Sequence, residues 1–316
     1  MSNGRANFAF SGNRNEIWHS LGSAMTPGAS IEDWVTEAGL NWQVNESPVL
    51  LNTTAGQVEF PNKKALYRSD TNQPLAVVSK DYKVVQPTQV IEFFRDLTSI
   101  HGMELSAAGS LFGGRRFWAT ASTGKTTQAF KGDTTEGFLL LVTSVDSTIA
   151  TIAKMTSVRT VCNNTLTTAL VGGTKNMVRK THASTWDPES VKLDMGLVDV
   201  SWDKFSQKLK RLAETEVSDK CAMKYLQDKF YVADTPIENQ PRAAVKQVNQ
   251  LFDLYRNGTG ANYSTGTAYG ILQAVTDKFS HGTGKRDPSL QMWDCHFGKL
   301  DNIKTDVFNE LCYMFA

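Results

Sequence analysis

Four runs rich in β-branched and apolar residues, 103–108, 116–122, 138–144 and 148–155, follow one another with turn-forming residues between them. Each has the length of a strand and is too short for an ordinary globular helix, so this stretch is committed to a sheet. Gly113 and Gly114 turn the first pair, since glycine enters the backbone conformations that tight turns require. The polar, Gly- and Thr-rich span 124–136 reads as an exposed, mobile loop, and 158–170 as a helix that closes the unit. Upstream, 75–79 and 82–86 read as a hairpin about Lys80-Asp81. Pro87 then starts a helix over 88–100 with Val90, Ile91, Phe94 and Leu97 on one face.

The remainder is loop and helix. Ser30, with Asp33 three positions on, caps a short helix over 30–38. The rest of the opening to residue 50 reads as loops that carry Trp18, Trp34 and Trp42, an aromatic arm able to pack in cis or on a neighbour. Phe205, Leu209, Leu212 and Val217 recur at helical spacing in a long helix over 202–230. Pro236 and Pro241 interrupt it, and helices over 243–255, 268–279 and 303–315 follow, with a loop at 257–265. The expected fold is therefore α+β: an antiparallel strand-rich core with flanking helices and a helical C-terminal part. The expected regions are an N-terminal arm (1–60), a basic strand-rich core (61–186) and a mainly helical region (187–316).

A chain of 316 residues with 41% hydrophobic and 21% charged residues can bury a sizeable core. No stretch approaches the apolar length of a membrane span, and the first residues lack a signal-peptide pattern, so a cytoplasmic protein is expected. The four cysteines, Cys162, Cys221, Cys295 and Cys312, lie outside metal-clamp spacing. No metal and no cofactor is expected. Ser122 to Thr127 imitates the end of a phosphate-binding loop, but the glycine needed five positions before Gly124 is Ala119. The five histidines are scattered and no nucleophile signature is present, so the chain does not read as an enzyme.

Charge is informative only by segment. Residues 112–186 hold nine basic side chains against Asp133, Glu136 and Asp146, and no acid falls between Ser147 and Trp186. A basic sheet with a basic helix beside it suits a phosphate backbone. The expected DNA-binding residues are Arg115, Arg116, Lys154, Arg159, Lys175, Arg179 and Lys180. Arg159 and Asn164 fit either a phosphate site or a buried polar junction between sheet and helix.

The stretch Ser157-Val158-Arg159-Thr160-Val161-Cys162-Asn163-Asn164-Thr165-Leu166, followed by His182, joins several other short patterns. These are Trp18-His19-Ser20-Leu21-Gly22, Gly39 to Val44, Leu75 to Ser79 and Gly266-Thr267-Ala268-Tyr269-Gly270. Together they resemble the phage/plasmid-like protein family known as domain of unknown function 932. The resemblance implies a phage, prophage or plasmid origin and supplies no activity. The strand–strand–strand–helix order expected over 103–170 also resembles the core of single-strand annealing proteins, an analogy at the level of fold. It implies a non-enzymatic binder of single-stranded DNA that acts in recombination as a ring or filament. The alternative is an interaction protein that binds a host protein, for example one of a defence system.

Overall fold

The computed structural model describes residues 7–11, 23–26, 28–161, 164–168, 178–180, 197–281 and 287–315. The strands in chain order are β1 (Asn7–Ser11), β2 (Ser23–Met25), β3 (Val44–Thr53), β4 (Gly56–Arg68), β5 (Pro74–Ser79) and β6 (Glu104–Leu111). They continue with β7 (Arg116–Phe130), β8 (Asp133–Ser144), β9 (Thr151–Arg159), β10 (Asn164–Thr168) and β11 (Val178–Lys180). The helices are α1 (Ile31–Glu37), α2 (Pro87–His101), α3 (Leu197–Glu214), α4 (Asp219–Phe230) and α5 (Arg242–Asn257). They end with α6 (Ala261–Ser264), α7 (Ala268–His281), α8 (Pro288–His296) and α9 (Lys299–Met314).

Strands β6 to β10 form an antiparallel meander, the body of a sheet ordered β10-β9-β8-β7-β6-β1-β2. Strand β11 shares the outer edge of β9 with β10. Both faces are covered, which explains the unbroken apolar run 138–142: a strand buried on both sides does not alternate with polar residues. From β8, Leu139 and Leu141 enter the main core, while Phe138, Leu140 and Val142 enter a second core on the opposite face. Helices α1 to α5, α7 and α9 contribute to the main core, and Met292 of α8 joins the second. A separate three-stranded sheet, β3-β4-β5, is joined to the body through Arg68 and Trp42. The Arg68 guanidinium lies 3.9 Å from the Trp42 ring centre, and Trp42 meets Phe117 edge-on at 5.4 Å. Gly114, at φ +95°, makes room for this contact, because a Cβ there would stand 2.7 Å from the indole.

The fold is α+β with an antiparallel core and a helical C-terminal part, as the sequence indicates. The Ser30 cap is present as a capping box with Asp33. Several local expectations are corrected. Residues 124–136 are not a mobile loop: β7 and β8 continue as paired strands to a turn at Gly132, and Thr127 bonds Ser206 of α3 at 2.6 Å. Within the expected helix 158–170, 164–168 form β10, so the strand–strand–strand–helix unit is replaced by a longer meander. The β-branched content of this run, Val158, Thr160, Val161, Thr165, Thr167 and Thr168, favours the pleated form.

Residues 82–86 form no strand among the described residues. Gln86 instead closes both backbone groups of Val44 through its amide, at 2.8 and 3.1 Å, and the Tyr82 hydroxyl donates to the Ser144 carbonyl at 2.8 Å. The long helix 202–230 is broken between α3 and α4, where Val217 donates to the Gly266 carbonyl and Ser218 caps α4. Residues 44–50, expected as loop, belong to the long strand β3, which pairs with the equally unanticipated β4. The 257–265 segment contains the short α6, and α8 was not anticipated. Trp34 and Trp42 are buried in cis, whereas Trp18 lies outside the described residues.

Trp202 of α3 closes on β8 at Gly137, where a Cβ would lie 2.6 Å from the indole. Gly137→Ala is expected to overpack this seam and cost about 1–3 kcal/mol. A urea midpoint unchanged from wild type would refute that account.

Candidate nucleic-acid interface

The seven expected phosphate contacts do not form one open track. Arg159 ends β9 inside the protein, with 2% of its surface exposed. Its Nε and Nη2 donate to the two carboxylate oxygens of Asp133 at 2.6 and 2.7 Å, and Nη2 also donates to the Gly260 carbonyl at 3.0 Å. The guanidinium stands 5.4 Å from the centre of the Tyr269 ring. Asn164, at the start of β10, donates to the carbonyl of Gln273 and to its side chain. The Asn164 Oδ1 lies 3.2 Å from His281 Nε2. Two stretches that carried the family resemblance, 157–166 and 266–270, thus meet where the sheet joins the helices. Burial holds the nearby Asp277 carboxyl above the usual carboxylate range, against the pull of His281 and Arg159.

Lys154 is buried as well. It donates to Asp301 Oδ2 at 2.7 Å and to the His296 carbonyl at 2.8 Å. Beside it Lys304, fully enclosed, donates to Thr165 Oγ1 and the Cys295 carbonyl, both at 2.8 Å. Burial lowers the Lys304 pKa from 10.5 to about 8, with Asp301 opposing. These cations fasten strands to the closing helices and do not face solvent.

Arg115 and Arg116 differ. Arg115 is exposed, and its Nε donates to the Phe112 carbonyl at 3.1 Å. Arg116 begins β7 on the face of Trp118, and its guanidinium lies over the ring of Trp293 of α8, 3.8 Å from the ring centre. Phe112 flanks it at 4.7 Å, and Trp293 stacks on Phe297 at 4.9 Å with the planes 17° apart. Arg116 Nη2 donates to Thr148 Oγ1 at 3.1 Å, while Nε has no hydrogen-bond partner. Burial lowers the Arg116 pKa, Asp146 opposes, and Arg115 adds to the lowering. Two cations and a row of rings therefore share one end of the sheet, an arrangement that can hold a phosphate beside a stacked base.

The aromatic partners of Arg116 escaped sequence reasoning because Trp293 and Phe297 lie far along the chain. Only the Phe112-Gly-Gly-Arg-Arg neighbourhood gave a local signal. Lys175, His182 and Cys162 lie outside the described residues. Arg179 and Lys180 pair in β11 with Ile152 and Thr151, and their side chains are outside the description. The phosphate-loop imitation lies within β7, where Gly124 sits at φ +69° and no helix follows. Among the described residues no group of His, Cys, Asp and Glu side chains could hold a metal ion. Among them too, no helix is long and apolar enough to cross a membrane.

Removing one partner of a buried ion pair leaves a charge uncompensated, which costs roughly 3–5 kcal/mol. Arg159→Ala and Asp133→Ala should each lower stability by about that amount, and the double variant should lose less than the sum. Strict additivity in urea unfolding would show that the pair is not a unit. Lys304 gives a pH signature. Between about pH 8 and 10.5 the unfolded chain keeps a proton that the folded chain has lost, so this group makes stability rise with pH. Cys312, whose thiol burial lifts to about 11, acts in the opposite sense above its ordinary value of 9.0. Stability measured from pH 8 to 9 should therefore rise in wild type more than in Lys304→Met; equal slopes would remove Lys304 as the cause.

No curated protein and no solved structure matches the chain. The profile of one family, described as Domain of unknown function (DUF932), matches residues 74–296, from the first residue of β5 to the last of α8. That span is more than two thirds of the 316 residues. The chain belongs to the DUF932 family.

Proposed function

We propose that this is a non-enzymatic protein of a phage or plasmid that binds and anneals single-stranded DNA in recombination, acting as an oligomer. The observation that carries the reading is the Arg116 guanidinium stacked on Trp293 and flanked by Phe112, with the exposed Arg115 beside it. Single strands are held by cations along the backbone and by rings under the bases, and both elements are adjacent here. Lys154 and Arg159 are buried in ion pairs with Asp301 and Asp133 and are left out of the phosphate contacts. The remaining backbone contacts are assigned to Arg115, Arg116, Lys175, Arg179 and Lys180.

Five phosphate contacts give a slope of about −3.5 in log affinity against log salt for single strands, so binding should weaken roughly a hundredfold between 50 and 200 mM salt. Replacing Arg115 and Arg116 with Glu should flatten the slope and weaken binding to all sequences alike. Trp293→Ala should remove a stacking contact worth about 1–3 kcal/mol, a loss of roughly 5- to 150-fold in affinity. Anisotropy of a labelled 50-nucleotide strand reads all three, and no binding by wild type at 50 mM salt would end this reading. A second reading, an interaction protein that binds a host protein, is favoured by one observation: four large apolar side chains stand exposed on the β3–β4 hairpin.

A further inference from the structure

Past the irregularity between Pro48 and Leu50, β3 and β4 run on as a two-stranded ribbon, pairing Leu50 with Glu59, Leu51 with Val58 and Asn52 with Gln57. Every residue from 50 to 62 is exposed. Leu50, Leu51, Val58 and Phe60 keep 52, 45, 50 and 39% of their surface in solvent. Val58 and Phe60, two positions apart, share a face with Leu51, while Glu59 points to the other side. A lone ribbon of this kind is at best marginally stable in water, and exposed apolar strands seek a partner.

The same chain carries a surface that fits it. Strand β5 ends the order β3-β4-β5, and only β4 pairs with it among the described residues. Its Val77 is 58% exposed. At the end of the β4–β5 ladder stand exposed Lys63, opposite Ser79, and exposed Lys80. A strand laid along β5 with Val58 opposite Val77 puts Val58 and Phe60 on the face of Val77 and Glu59 on the face of Lys80, because paired residues share a face and side chains alternate along both strands. Apolar surface then meets apolar surface and an acid meets a base. The ribbon continues β4, which already holds the inner edge of β5, so a ribbon on the outer edge belongs to another copy.

We propose that the β3–β4 ribbon of one molecule adds as a strand to the open edge of β5 in a second copy of this chain. The contact joins two different surfaces, so it propagates head to tail into rings or filaments. It rests on the assembly part of the function proposed above, and its test contains no DNA, so a failure of DNA binding leaves it standing.

Light scattering at micromolar concentration should give a wild-type species larger than a dimer. Val58→Asp/Phe60→Asp, which spoils the ribbon, and Val77→Asp, which spoils the edge, should each be monomeric with wild-type circular dichroism. Mixed in equal amounts they should form a dimer, because one intact ribbon then meets one intact edge. A monomeric wild type overturns the proposal and leaves the ribbon to a foreign protein. So does a mixture that stays monomeric, and so does a Val77→Asp protein that keeps the wild-type mass. Should an aspartate variant fail to fold, a Val58→Cys/Val77→Cys protein replaces it. On oxidation this protein should give a ladder of disulfide-linked multimers, whereas Val58→Cys alone should give none; equal behaviour of the two overturns the proposal.

Discussion

The bidentate pair of Arg159 with Asp133 is the contact on which the architecture turns. It fastens the end of β9 to the beginning of β8, and through the Gly260 carbonyl it takes hold of the turn that leads into α6 and α7. Both side chains are withdrawn from water, so removing either would leave a buried charge uncompensated. The closely packed α7, with eleven buried residues from Ala268 to Ser280, is thereby fixed against the sheet. Asn164 reaches from β10 to α7 and Lys304 from α9 to β10, so the same kind of polar tie recurs at the next strand.

This frame separates two kinds of cation that the sequence does not distinguish. Those at the sheet–helix seam are consumed by acids and carbonyls. Arg116 is desolvated too, yet it rests on rings, which attract a cation without neutralising it. Under the function proposed above, this is the charge left to meet a backbone phosphate.

Legibility followed distance along the chain. The Ser30–Asp33 box and the amphipathic α2 were readable because helix signals act over three or four positions. The strands of the meander were readable from β-branched runs and the glycines between them. Strand β10 was not, since apolar residues at mixed spacing suit either form in a short run. The charge sum over 112–186 misled for a related reason: Lys154 takes its acid from Asp301, 147 positions away, and no window captures such a partner. The ribbon at 50–62 was missed because its apolar and polar residues look like loop unless pairing is known, and it lies outside the span that the family shares.

The two-faced sheet has a consequence for how the protein is made. One face of β8 waits for Met292, and Lys154 waits for Asp301, so both are incomplete until α8 and α9 have been made. Strand β1 must likewise wait for β6, about a hundred positions later. Contacts so distant close slowly, and unfinished sheets expose apolar strands meanwhile. The chain therefore has little to gain from folding piecemeal as it emerges. The sheet is expected to close only once α8 and α9 are present.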